Sequence, residues 1–235
     1  DGIRDQPRSR GLGDVYKRQL ELVPRELSNH PIIRKYRTLY KKRSDDILLD
    51  KSFHSQCMES LSDNHKRGRP DIVHLSLISL TSSPLYLEKK LKVFVHTVGN
   101  SVIDINLGVR LPKSYLRFSS LMEQLFSLKK IIKDDLTLLS LRSCSFSDLI
   151  KDINPDFTIA LTRQGKFNHL QKIVAQLSDY SRPVIVIGGF SHGGFSQDID
   201  LNSDNVYSIS RHKLESHIVC SRVAYEFEKT ILSDH

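Results

Sequence analysis

Residues able to do chemistry fall in three places in this 235-residue chain. The first is GGFSHGG, residues 188–194, which directly follows the apolar run Val184 to Ile187. Glycine clusters let backbone come close to a ligand. Gly188 and Gly193 have the spacing of a Walker loop, but Gly194 and Phe195 stand where Lys and Ser/Thr are required, so no lysine would reach a phosphate. The dinucleotide pattern G-x-G-x-x-G fails by spacing. Both motifs also open a helix whose N-terminus holds the phosphate, whereas here QDIDLNSDN and then a strand-like NVYSIS follow. Asp198, Asp200 and Asp204 would repel a polyphosphate. Two readings remain: a tight surface turn, or a loop wrapped around a ligand with little negative charge. S-adenosylmethionine suits the second, having an adenosine, a sulfonium cation and a zwitterionic tail.

The other two places are basic. Arg69 precedes Pro70 and is therefore held extended. It follows Lys66 and Arg67 and is followed by the carboxylate of Asp71. The run reads equally as a solvated charged edge. Arg110, Lys113 and Arg117 flank Pro112 at the start of a helical pattern, and residues 113 and 117 share a face. Cations at a helix N-terminus oppose the macrodipole. An anion such as an RNA phosphate would neutralise them. The histidines form no H-E-x-x-H motif. His212 and His217 are five apart on a predicted helix, and His74 and His96 fall in apolar runs expected to be strands of the core. Cys57, Cys144 and Cys220 are far apart with no Cys-x-x-Cys, so neither a metal site nor a disulfide framework is expected. Cys220 should be buried in the terminal helix.

Composition bounds these readings. Hydrophobic residues make up 39 %, adequate for a packed core. No apolar run approaches the ~20 residues that span a bilayer, and no signal-type stretch opens the chain. A soluble, intracellular protein is expected. The net charge of +8 is concentrated at the front: residues 1–43 carry 12 Lys/Arg against 5 Asp/Glu.

Residues 1–19 show no usable periodicity, and GDVYKRQ resembles a translated cloning adapter; a disordered tail is expected there. Residues 20–235 read as one α/β domain. LELVP, from Leu20, predicts a short strand. Residues 31–43 predict a basic helix opened by Pro31, and residues 48–61 have helical spacing. DIVHLSLISL (71–80) predicts a strand buried on both faces. A short capped helix follows at SPLYLEKKL, then two strands, KVFVHTV and SVIDINL, joined at Gly99-Asn100. A long helix should carry Phe118, Leu121, Met122, Leu125, Leu128 and Ile132 on one stripe. SFSDLIKDI and FNHLQKIVAQL predict helices, FTIALT, PVIVIGG and NVYSIS strands, and HKLESHIVCSRVAYEFEKTIL a terminal helix. Strands alternating with helices imply a mostly parallel sheet flanked by helices.

The order RPDIVH, SPLYLEKKLKVFVHT, VRLPKSYLRFSSLMEQLF, ALTRQG, VIGGFSHGGF and YSIS resembles the ribosome-biogenesis methyltransferases that modify ring nitrogen 1 of a pseudouridine in small-subunit rRNA. They belong to the SPOUT superfamily, and the GGFSHGGF form is closer to the archaeal branch. The resemblance covers about residues 20–232. It implies a SPOUT methyltransferase fold with a C-terminal trefoil knot and a family-specific N-terminal extension. It also implies a homodimer, S-adenosylmethionine as cofactor, small-subunit rRNA as partner, no metal, no membrane, and a cytoplasmic or nucleolar setting. The cofactor would lie among Leu161, Thr162 and Gly165, then Gly188, Gly189 and Gly193, then Tyr207, Ser208, Ile209, Ser210, Arg211 and Leu214. Asp71 would sit beside the target base, as proton acceptor or as orienting group. Arg69, Arg110, Lys113 and Arg117 would contact RNA. Lys113 departs from the arginine usual in the eukaryotic pattern, which weakens planar bidentate recognition there. The rival readings are a catalytically idle rRNA-binding assembly factor and a metabolite-binding α/β protein.

Overall fold

Proline and serine set most helix starts. Helix α1 (Pro31–Leu39) has Pro31 in its first turn and His30 as cap, its ring accepting from the Ile32 N–H at 3.3 Å. A computed structural model describes residues 10–11, 20–42, 46–97, 99–188, 199 and 202–232. Asp50 caps α2 (Lys51–His54), which passes into a 3-10 turn, Ser55–Ser60. The predicted strand at LELVP is reduced to a single bridge, Leu22 to Leu48. Together these segments bury Ile33, Tyr36, Leu49 and Met58 in a small N-terminal core of their own.

The largest departure from expectation is at residues 70–81, which form helix α3 (Pro70–Thr81), not a strand. A continuous apolar run carries no period, so length and flanks must arbitrate. Here Pro70 occupies the first turn, where its missing N–H costs nothing. The run is then 12 residues long, and α3 is buried nearly all round, with Leu75 as its exposed apolar residue.

Helix α4 (Pro84–Leu87) is capped by Ser83. Strands β2 (Leu91–His96) and β3 (Ser101–Ile105) pair antiparallel, and Asn100 has φ of 50° in the turn between them. Helix α5 (Tyr115–Leu128) buries Phe118, Met122 and Leu125 but stops at Lys129, whose φ of 64° caps it. Leu128 and Ile132 are therefore exposed rather than on its buried stripe. Ile132 belongs to β4 (Lys130–Lys133), which turns at Asp134 and Asp135 into β5 (Leu136–Ser143). This hairpin went unread in the sequence because its turn is Asp-Asp, without the glycine that marks such turns.

Helix α6 (Phe146–Ile153), capped by Ser145, precedes β6 (Phe157–Phe167). Then come α7 (Leu170–Ser178), β7 (Pro183–Ile187), β8 (Asn205–Ser208) and α8 (Ser216–Ile231). Strands β7-β6-β8 form a sheet in which both pairings are parallel. Alternation places Ile159, Leu161, Ile185 and Ile187 with residues of α7 and α8, and Ala160, Val184 and Val186 with Phe146 of α6. This is the parallel sheet with helices on both faces that the α/β pattern predicts. The second sheet, ordered β1-β2-β3-β5-β4, is antiparallel apart from β1. Strand β1 is Arg10–Gly11, paired with Leu91 and Lys92. Two residues of the stretch expected to be a disordered tail thus border the sheet; the rest of 1–19 lies outside the described residues.

Candidate cofactor cleft and nucleic-acid interface

The carboxyl ends of parallel strands are where open α/β sheets place ligands. At that end of β6, Leu161 and Lys166 both register with Tyr207, so Thr162–Gly165 bulge out of the ladder. Gly165 allows this: a Cβ there would lie 2.5 Å from the Tyr207 carbonyl carbon. Beside the bulge is a cavity of about 170 Å³, open on one side. Its floor is the ends of β6 and β7, and its wall is the loop from Ser208 to the start of α8. The Ser216 hydroxyl donates to the Gly188 carbonyl at 2.7 Å, tying the end of β7 to α8. The Ser210 hydroxyl accepts from His212 N–H at 3.0 Å and the Ser208 hydroxyl donates to the Ser210 carbonyl at 2.9 Å, which shapes the wall.

Seven of the residues assigned to a cofactor from the sequence line this cavity: Leu161, Thr162, Gly188, Ser208, Ile209, Ser210 and Leu214. Gly165 and Tyr207 instead hold the bulge behind it, and the exposed Arg211 is not among the lining residues. Gly189 and Gly193 lie outside the described residues. Arg163, Ile187, His212, Lys213, Ser216 and Val219 also line the cavity; Arg163, His212 and Lys213 fall within the loops LTRQG and Tyr207–Leu214 that the resemblance implies, though not among the residues singled out. The first four sit inside or beside the quoted motifs. Ser216 and Val219, three apart on α8, become legible only once the helix start is known, and it begins four residues later than predicted.

No acidic residue occurs among the described lining residues. Asp204, counted in the sequence as repelling a polyphosphate, points elsewhere. Its carboxylate accepts from the Thr158 N–H at 2.7 Å and its own N–H donates to the Thr158 carbonyl at 2.9 Å, at the opposite end of β6.

Arg69 is non-helical as expected, with φ −122° and ψ 59°. It is not a bare cation: its Nε and a terminal guanidinium nitrogen donate to the two oxygens of Asp71, both at 2.8 Å. Asp71 lies in the first turn of α3, not at a strand entry, and both side chains are about one-third exposed. The carboxylate raises the Arg69 guanidinium, and Glu215 and Asp50 act in the same direction. Arg67 is likewise committed, forked onto Glu21 at 2.8 and 2.6 Å, so two cations of the expected basic edge, Arg67 and Arg69, are held in ion pairs. Helix α3 meets the start of α8 where the Ser79 hydroxyl donates to the His217 carbonyl at 3.2 Å. At 1.5 Å per residue, Asp71 lies about 12 Å along α3 from Ser79. Glu215, whose field reaches Arg69, directly precedes the cavity-lining Ser216.

Arg110, Lys113 and Arg117 are all exposed. Arg117 alone is inside α5; Lys113 precedes the cap residue Ser114, and Arg110 lies in the loop before it. His74, on α3 rather than a strand, ties this loop to the Asp71 end: its Nε2–H donates to the Pro112 carbonyl at 2.8 Å, and its ring stacks on Phe118 with centroids 4.5 Å apart. Tyr115 donates to the buried Asp50 carboxylate. Burial, then the Asp50 bond, then the Asp50 and Asp71 charges push its phenol well above the usual range. The His96 Nε2–H donates to the Cys144 carbonyl at 3.1 Å, in the core. Cys220 is fully buried, as expected.

Parallel strands ending in a cavity lined by aliphatic, hydroxyl and basic side chains define a ligand-binding α/β protein. The chain belongs to the EMG1/NEP1 methyltransferase family, whose model matches residues 16–228. It is 39 % identical over 214 residues to the ribosomal RNA small subunit methyltransferase Nep1 of Thermococcus sibiricus, covering 91 % of this chain and 96 % of the relative. It is 40 % identical over 205 residues to that of Staphylothermus marinus, covering 87 % and 89 %. The crystal structure of Archaeoglobus fulgidus Nep1 bound to S-adenosylhomocysteine superposes with a TM-score of 0.82 at 31 % identity, over 93 % of this chain and 97 % of that one. No helix among the described residues is long and apolar enough to cross a membrane.

Proposed function

We propose that this protein methylates ring nitrogen 1 of a pseudouridine in small-subunit rRNA, using S-adenosylmethionine, in the cytoplasm or nucleolus as part of small-subunit biogenesis. When bound, the cofactor supplies a methyl group whose bond to sulfur breaks, leaving its electron pair there, as the bond to nitrogen forms. Leu161, Thr162, Gly188 and Ser208–Ser210 would hold it. The cavity fits such a group: aliphatic residues (Leu161, Ile187, Ile209, Leu214, Val219) and hydroxyls suit the adenosine, and the cations Arg163 and Lys213 suit the carboxylate of the methionine tail. Gly189 and Gly193 would complete the cradle, within the trefoil knot that the family resemblance implies.

The single observation that carries the catalytic reading is the placement of Asp71. It sits about 12 Å along α3 from Ser79, whose hydroxyl meets the start of α8, and its partner Arg69 is within the field of Glu215, the residue before the cavity-lining Ser216. Arg69 holds the carboxylate in one orientation while leaving each oxygen a free lone pair. Asp71 can therefore accept the N1–H of a pseudouridine, aligning the nitrogen and taking or relaying its proton. Arg110, Lys113 and Arg117 would bind the phosphates around the target. The active form would be a homodimer.

The test is incubation with methyl-labelled S-adenosylmethionine and a small-subunit rRNA hairpin carrying either pseudouridine or uridine. Label should enter the pseudouridine RNA alone. Binding of RNA without labelling of either form would make the protein an assembly factor and overturn the catalytic reading.

A further inference from the structure

Helix α1 is basic, yet nothing in the methyl-transfer reading uses it. Residues 31–42, PIIRKYRTLYKK, contain no acidic residue. One face buries Ile33 and Tyr36. The opposite face exposes Arg34, Lys35 and Thr38, and Lys41 follows just past the helix end, also exposed. Among the described residues no carboxylate pairs with Arg34, Lys35 or Lys41. Lys42 is different: it donates to Glu123 at 2.5 Å and Ser120 at 3.1 Å.

Two tethers fix α1 beside the first half of α5. The Lys42 hydrogen bonds place its C-terminal end at Ser120 and Glu123, one to two turns beyond Arg117. Tyr36, at its middle, packs edge-on to His54 with centroids 4.8 Å apart. The His54 Nδ1 accepts from the Asp50 N–H at 3.0 Å, and Asp50 in turn holds Tyr115 at the start of α5. Burial raises the Tyr36 phenol, with the Glu123 and Asp50 charges adding to it, which agrees with a position between the two tethers. Side chains thus link α1 to the first half of α5, where Arg117 is exposed, while Arg34, Lys35 and Thr38 face away from the buried Ile33 and Tyr36.

We propose that the outer face of α1, through Arg34, Lys35 and Lys41, is a second RNA-binding surface, holding phosphates that flank the target loop. A nine-residue helix is about 13 Å long, so the face by itself can span more than one phosphate. Cations without a carboxylate partner among the described residues, on the exposed face of a helix tethered to the one that carries Arg117, match a polyanion with regularly spaced charges. The inference rests on the rRNA reading above.

The experiment measures the salt dependence of binding to a small-subunit rRNA hairpin and to its isolated loop. The variants are Arg34→Ala/Lys35→Ala/Lys41→Ala and the charge-keeping Arg34→Lys/Lys35→Arg/Lys41→Arg. The Ala variant should lower the log–log slope by roughly 2, at about 0.7 per phosphate, with several-fold weaker binding. The deficit should be larger for the hairpin than for the loop. The charge-keeping variant should retain the wild-type slope. If wild type binds the hairpin and the Ala variant shows the same slope, the α1 surface is refuted while the rRNA reading stands. If wild type shows no salt-dependent RNA binding at all, both fall together.

Discussion

Arg69 and Asp71, separated only by Pro70, are joined by two parallel hydrogen bonds of 2.8 Å. Pro70 makes this possible by keeping Arg69 out of the helix while starting α3 beneath Asp71. The residue assigned to RNA and the residue assigned to catalysis are therefore one unit. Removing either leaves the other misoriented.

Asp71→Asn should lower turnover by about 10²-fold, the scale of a lost proton-handling group. Stability should change by no more than about 1 kcal/mol, because the pair is partly solvated. Arg69→Lys keeps the charge but loses the planar fork, so it should impair turnover as well. Single-turnover methylation and denaturant melts on both variants check this; wild-type turnover in Asp71→Asn would leave Asp71 only a structural role.

The Arg110→Ala/Lys113→Ala/Arg117→Ala variant should bind rRNA more weakly. Its log–log salt slope should drop by about 0.7 to 0.9 for each phosphate no longer neutralised. Only Arg117 lies within the first turn of α5. The relief of the macrodipole conflict should therefore come mainly from that position, about 0.3 to 1 kcal/mol. Cofactor affinity, read by calorimetry, should not change. An unchanged salt slope would remove this cluster from the interface.

Gly165→Ala tests the cavity through its frame. The added Cβ would meet the Tyr207 backbone at 2.5 Å. Since backbone cannot step aside as a side chain can, the β6 bulge must shift. Overpacking of this kind costs about 1 to 3 kcal/mol, or a few degrees in Tm at this chain length. S-adenosylmethionine binding should weaken in parallel. A variant with native Tm and native affinity would show that the bulge does not shape the cavity.

His54 gives the fold a pH dependence of known sign. Burial lowers its pKa from 6.5 to about 4, against a smaller opposing pull from Asp50. The geometry agrees, since Nδ1 is occupied as the acceptor of the Asp50 N–H. Between pH 6.5 and 4 the unfolded chain binds a proton here that the folded protein excludes. Stability is therefore full above pH 6.5 and falls as pH drops toward 4, by about 3 kcal/mol in all. Urea midpoints measured from pH 7.5 to 4.5 should fall in wild type and fall less in His54→Gln, which cannot titrate. Parallel pH profiles would contradict the assignment.

Local sequence determined the pieces whose signals are local. Pro31, Pro84, Ser83 and Ser145 mark helix starts through backbone chemistry confined to one turn. The short apolar, β-branched runs around Val93–Val95 and Ile159–Leu161 mark strands, whose two faces pack into different clusters. The family resemblance, not a local pattern, pointed to Leu161, Gly188 and the wall at Ser208–Leu214, which the structure brings around one cavity. Burial on all sides erased the period of residues 70–81, and so the helix that carries Asp71 could be told from a strand only by what surrounds it. The partners of charged groups were equally beyond local reading. Arg67 meets Glu21, Lys42 meets Glu123 and Tyr115 meets Asp50 across 46, 81 and 65 residues. Sequence specifies that such groups are charged. Only the folded chain, by bringing distant carboxylates within hydrogen-bond reach, decides which cations are neutralised and which, like Arg34, Lys35 and Arg117, stay exposed with no carboxylate partner among the described residues.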